Sequence, residues 1–133
     1  MISFSIETSK KREVLDLTGS VQEQCKRETI LTGLCFLTAL HTTTALSIAD
    51  LDPGTDMDML DAFEKLIPKL DYRHPHNPDH APDHILSSLI GPSIFIPIEK
   101  GILSLGTWQR VVLFEFDGPR ERHFKMSLLS EEC

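Results

Sequence analysis

The stretch "SIFIPIEKGILSLGTWQRVVLFEFDGPRERHFKMSLL", Ser93–Leu129, decides the fold. Its apolar residues recur in short extended runs: Ser93 to Glu99, Ile102 to Gly106, Trp108 to Asp117 and Arg122 to Leu129. Lys100-Gly101 and Gly118-Pro119 punctuate them with residues that suit tight turns. No helical pattern intervenes. Parallel neighbours need a long crossover between them, so these strands must form an antiparallel or mixed sheet.

The same reading extends toward the N-terminus. Ser3 to Thr8 and Glu13 to Leu17 alternate around Ser9-Lys10-Lys11, which reads as a hairpin. Leu34 to Leu40 is almost continuously apolar and is expected to be a strand covered on both faces. It leads into His41-Thr42-Thr43-Thr44 and the alternating segment Ala45 to Ala49, where β-branched threonines favour extended backbone.

Three segments read as helices. One of about ten residues passes through Val21, Cys25 and Glu28, with Thr18 and Ser20 as candidate N-caps, and ends before Gly33. Met57, Leu60, Phe63 and Ile67 mark a second, from Met57 to about Ile67. Thr55 and Asp58 resemble a capping box at its start, and Pro68 disturbs its end. His84 to Ile90 forms a short third, closed by Gly91-Pro92. About eight strands and two or three helices, grouped rather than alternating, make an α+β fold expected to occupy residues 1–133 as one domain.

Composition excludes several functions. A formal charge of −7, with only short basic clusters at Lys10-Lys11-Arg12 and Lys26-Arg27, argues against nucleic acid as a partner. No apolar run reaches the roughly 18 residues a membrane span requires. Cys25, Cys35 and Cys133 are widely spaced and odd in number, which argues against a disulfide framework and for a reducing cytoplasm.

Four of the six histidines lie in "HPHNPDHAPDH", His74 to His84. The spacing of His76, His80 and His84 would align them on a helix, but Pro78 and Pro82 interrupt such a helix. A metal site using this loop therefore needs a partner from elsewhere, and His41 is the candidate, as a Zn²⁺ or Mg²⁺ ligand or as a hydrogen-bonded core histidine. Asp50, Asp52, Asp56 and Asp58 form an acidic constellation that could bind Mg²⁺ or act as bases. It lacks the EF-hand pattern, and Asp56 and Asp58 also suit a helix start. Trp108 and Gln109 could stack on and hydrogen-bond a planar ligand, or Trp108 could anchor a core. Arg120 and Arg122 could offer a fork to phosphate or carboxylate. Ser87-Ser88 lacks the GxSxG context of a nucleophile and reads as helix capping or an anion contact.

The ordered set "LHTTTALSI", "DP", "DHILSSLIGPS", "IPIEKGILSLGTWQ" and "FEFDGPRER" resembles the YjbQ family over nearly the whole chain. That resemblance implies an α+β fold, a homotrimer and a secondary thiamin phosphate synthase activity on a phosphorylated heterocycle. It implies that His41, His84 and His74 take the family's histidine positions as metal ligands, and that Asp50 and Asp58 take its acidic ones as catalytic groups. Ser87, Ser88, Trp108, Gln109 and Arg120 are the candidate substrate contacts. Three departures stand out: Asp50 is a shorter carboxylate than the family's acidic residue, one residue is missing before Asp52-Pro53, and Leu86 replaces a common lysine. Two other functions fit these residues: a metal-dependent hydrolase, and a non-catalytic trimer that binds a metabolite or partner.

Overall fold

A computed structural model describes residues 1–131. Within them the chain forms β1 (Ile2–Glu7), β2 (Glu13–Asp16), α1 (Thr18–Arg27), β3 (Gly33–Ala39), β4 (Thr44–Ala49) and α2 (Thr55–Leu66). A 3-10 turn at Pro78–His80 leads into α3 (Ala81–Ile90), followed by β5 (Ser93–Glu99), β6 (Ile102–Leu103), β7 (Arg110–Glu115) and β8 (Glu121–Ser130). All strand pairs are antiparallel, in a five-stranded sheet ordered β1-β8-β3-β5-β6 and a three-stranded sheet ordered β2-β7-β4. The fold is α+β.

Strand alternation layers the molecule. Cys35 and Leu37 of β3, Ile96 and Ile98 of β5, and Phe124 and Met126 of β8 meet Leu46 of β4 and Val111 and Leu113 of β7, so the two sheets bury one another. Val21 and Cys25 of α1 join that core. The opposite face of the small sheet, through Ala45, Val112, Phe114 and Phe116, packs against Leu86 of α3 and Met59 and Phe63 of α2. Each large apolar side chain fully buried this way contributes about 1.5–3 kcal/mol.

Several expectations need correction. Ser3–Thr8 and Glu13–Leu17 do not form a hairpin: β1 pairs with β8 in the large sheet and β2 with β7 in the small one. The Glu13 carboxylate accepts hydrogen bonds from the amides of Ser9 at 2.5 Å and Lys10 at 3.3 Å, within the turn that carries the chain between sheets. Nor is Leu34–Leu40 covered on both faces. Leu34 is 41% exposed and Leu40 52%, and the outer side of β3 meets β5 residue Phe95, itself 61% exposed. The strand covered on both faces is β7, whose Val111 to Glu115 are all buried.

Thr18 does not cap α1, because its hydroxyl accepts from the Val111 amide at 2.8 Å. Gly54, in the left-handed region at φ 93°, precedes α2, and Thr55 donates to Asp50 instead of forming the capping box. The third helix starts at Ala81, three residues before His84, since Pro82 sits in the first turn, where no amide donor is required. β6 ends at Leu103 and β7 starts at Arg110, because the Gln109 side chain accepts from the Gly106 amide at 2.8 Å and closes a turn across Trp108. Cys25 and Cys35 are buried free thiols, and Cys133 lies outside the described residues. Among the described residues no helix is long and apolar enough to cross a membrane.

Candidate functional site

His41 follows the end of β3, where the Leu40 amide bonds to the His123 carbonyl and the His123 amide donates to His41 Nε2 at 2.7 Å. With Nε2 accepting, the neutral ring carries its proton on Nδ1. Burial, followed by the nearby positive charges of Arg122 and His123, holds the His41 pKa below its ordinary value despite the opposing charge of Glu115. Arg122 and Glu115 are themselves buried and paired, Nε to Oε1 at 2.8 Å and Nη2 to Oε2 at 2.5 Å. Thr8 donates to Glu115 Oε1 at 2.7 Å and Arg122 donates to Thr43 at 2.8 Å, so the pair is hydrogen-bonded into both sheets. Sequence reasoning missed Glu115 as a member of this network. The available signal was a carboxylate inside the apolar run "VVLFEF", which needs a buried cation to be tolerated.

The histidine loop brings His74 and His84 together. Their rings stack at 4.7 Å with an 18° interplanar angle, while His76 lies edge-on to His74 at 6.2 Å. His74 Nδ1 accepts from the Asn77 amide at 3.4 Å. His84 and Ser88, one helical turn apart on α3, line a shallow depression with Ile85 and Leu89. Ser87 faces inward instead and donates to the Thr44 carbonyl at 2.5 Å.

This arrangement does not fit a caged ion within one chain. Imidazole nitrogens bind metals in the plane of the ring, at about 2.0–2.1 Å. Two nearly parallel stacked rings direct their in-plane lone pairs alongside each other rather than to one point. Among the described residues no three histidine, cysteine, aspartate or glutamate side chains are grouped to hold a metal, so His41, His74 and His84 are not assembled as one ligand set.

Asp50 and Trp108 do meet. They line a depression of about 120 Å³ with Asp16, Leu51, Asp52, Thr107 and Arg110. Trp108, the chain's single tryptophan, is 68% exposed, which excludes the core-anchor role. Asp50 is fixed by accepting from the Thr55 hydroxyl and the Asp52 amide, both at 3.2 Å. Arg110 is engaged by Asp16 at 2.8 Å. Burial opposes ionisation of Asp16, but hydrogen bonds from Thr18 and Arg110 outweigh it and hold the pKa low. The free charge of this depression is therefore negative.

The other expected contacts stand apart. Asp58 is exposed on the first turn of α2 and does not line this depression. Gln109 is committed to its turn. Arg120 is occupied by Asp117, Nε to the carbonyl at 2.7 Å and Nη2 to the carboxylate at 3.0 Å. Burial of Asp117 opposes ionisation, and the hydrogen bonds from Arg120 and Lys11 overcome it to keep that carboxyl below its ordinary range.

Comparison with known proteins gives the same answer at three levels. The family model described as UPF0047 protein YjbQ-like matches residues 2–131. A UPF0047 protein of Archaeoglobus fulgidus is 39% identical over 122 residues, covering 91% of this chain and 94% of the relative. A crystal structure of a YjbQ/UPF0047 family protein from Clostridium acetobutylicum superposes with a TM-score of 0.88 at 35% identity, covering 97% of this chain and all of that one. A YbjQ-like protein from Sulfolobus solfataricus gives 0.90 at 29% identity, covering 98% and 96%.

Proposed function

The chain belongs to the YjbQ-like UPF0047 family, and from that membership we propose that the Trp108–Asp50 depression binds a planar heterocycle in a thiamin phosphate synthase-like transfer. The observation that supports this reading is an exposed tryptophan beside two carboxylates, Asp50 and Asp52, that carry no arginine or lysine partner among the described residues. In such a transfer the thiazole nitrogen attacks the methylene carbon of a pyrimidine methyl diphosphate. A C–N bond forms, the C–O bond to diphosphate breaks, and the thiazole ring becomes a permanent cation. An aromatic face attracts a planar cation, and adjacent carboxylates stabilise positive charge as it develops. Binding of that kind is stronger in the transition state than in the neutral substrate, which is the condition for catalysis.

In this reading Asp50 or Asp52, rather than a histidine cage, would hold a divalent ion such as Mg²⁺, which would supply charge neutralisation for the diphosphate leaving group. His84 and Ser88 of α3, with His74 of the preceding loop stacked on His84, form a separate polar patch. Incubation with pyrimidine methyl diphosphate, thiazole phosphate and Mg²⁺ tests the proposal. Thiamin phosphate should accumulate, and Asp50→Asn and Trp108→Leu should each slow its formation. No product, or a rate unchanged in both variants, overturns it.

A second reading, a metabolite-binding homotrimer without turnover, draws on a different observation. The outer face of the large sheet exposes Leu34, Phe95 at 61% and Leu129 at 54%, which form an apolar patch suited to a second copy of the chain. Saturable ligand binding by an oligomer that forms no product supports this reading over the first.

A further inference from the structure

Between the last turn of α2 and the first turns of α3 lies a cavity of about 400 Å³ that shares no lining residue with the Trp108 or His84 depressions. Its size falls within the roughly 300–1,000 Å³ typical of small-molecule sites. Local sequence makes it. Pro68 follows the end of α2, and the Tyr72 hydroxyl donates to the Pro68 carbonyl while the Tyr72 amide bonds to Leu70, closing one wall as a compact turn. Pro78 and Pro82 stiffen the other wall, so little ordering accompanies binding.

The apolar part of its wall is built on Phe63, Ile67, Pro78 and Pro82, with the buried Leu86 behind them. Glu64, Lys69 and Asp79 also line it, but all three are exposed, where water and salt screen them. Arg12 differs from them. The crossover between the two sheets delivers it to the cavity wall, where its side chain is only 32% exposed and Nη2 donates to Asp83 Oδ1 at 2.9 Å. Asp83 is 1% exposed, so this bond fixes the guanidinium from behind. One of the five guanidinium N–H donors is used in that bond, and a fixed planar fork is the geometry that recognises a carboxylate.

We propose that this cavity binds a small aromatic or branched apolar carboxylate, with Phe63, Ile67, Pro78 and Pro82 enclosing the apolar body and Arg12 holding the carboxylate. This site is independent of the Trp108 reading, and either can fail alone. Calorimetric titration of the whole protein with 3-phenylpropionate and with 2-phenylethylamine tests it. Saturable binding of the carboxylate, with the amine at least tenfold weaker and Trp108 emission unchanged, is the expected result. Arg12→Lys retains a cation beside Asp83 but loses the fork, and should weaken binding by about tenfold or more, as for one charge-assisted hydrogen bond. Ile67→Trp fills the cavity and should abolish it; if that variant does not fold, the two probes and Arg12→Lys still decide. No binding of 3-phenylpropionate, equal binding of the amine, or full affinity in Arg12→Lys overturns the proposal.

Discussion

Arg122 and Glu115 show how one pair of charges can be tolerated between two sheets. Each is almost fully removed from water, and each is satisfied by the other and by Thr43 or Thr8. Removing one partner strands the other, so Arg122→Met should destabilise the protein by about 3–5 kcal/mol in chemical denaturation, while Arg122→Met with Glu115→Leu should recover a large part of that loss. His41, beside this pair, has a folded pKa below the 6.5 of a free histidine. Above that pH both states are neutral and the shift has no effect. As pH falls below 6.5 the unfolded chain takes up a proton that the folded ring resists, so stability declines until the folded pKa is reached and then levels off. Unfolding free energies measured across this window should fall more steeply for the wild-type protein than for His41→Gln. Parallel slopes would remove His41 as the cause.

At the scale of elements, patterns along one segment were legible and relations between distant segments were not. β5 lies where alternation placed it, and α2 ends where Pro68 requires. Alternation predicts a β1–β2 hairpin that the structure does not form, because alternation reports a strand but not its partner, and Glu13 turns the chain from one sheet into the other. Two apolar runs, Leu34–Leu40 and Val111–Phe116, look alike in composition, yet only β7 is sandwiched, since α2 and α3 return to cover the small sheet alone. Leu37, at the centre of β3, faces the shared core with no exposed surface, so Leu37→Ala should lower stability by about 2–5 kcal/mol in urea unfolding. The outward side of the same sheet makes the opposite prediction. Phe95→Lys should leave folding stability within about 0.5 kcal/mol per chain, as for a solvent-facing change, and, in the homotrimer reading, should shift the sedimentation coefficient from that of an oligomer to that of a monomer. An oligomer that persists in Phe95→Lys would place the contact elsewhere.

Across the whole molecule, the sites expected from sequence divide according to what the fold can bring together. Asp50 and Trp108, 58 positions apart, meet because β4 ends where β7 begins in their antiparallel pairing, which no local pattern announces. His74 and His84 meet as a stacked pair, and His41 is engaged by the backbone of β8. Arg120, Gln109 and Ser87 are each held by the fold itself: Asp117, the Gly106 turn and the Thr44 carbonyl use the groups that sequence reading offered to a substrate. The chemistry-bearing residue types could be read from the chain, but whether each was already satisfied depended on the tertiary fold. Binding of a cationic heterocycle on the platform of Trp108 and its carboxylates, as proposed, is read by titrating the intact protein with thiamin phosphate and following the emission of its single tryptophan. A saturable change that weakens about 2- to 30-fold in Asp50→Asn/Asp52→Asn, as for two exposed charge contacts of about 0.2–1 kcal/mol each, is the predicted result. No saturable change up to millimolar ligand, or identical curves for the wild type and the double variant, would contradict it.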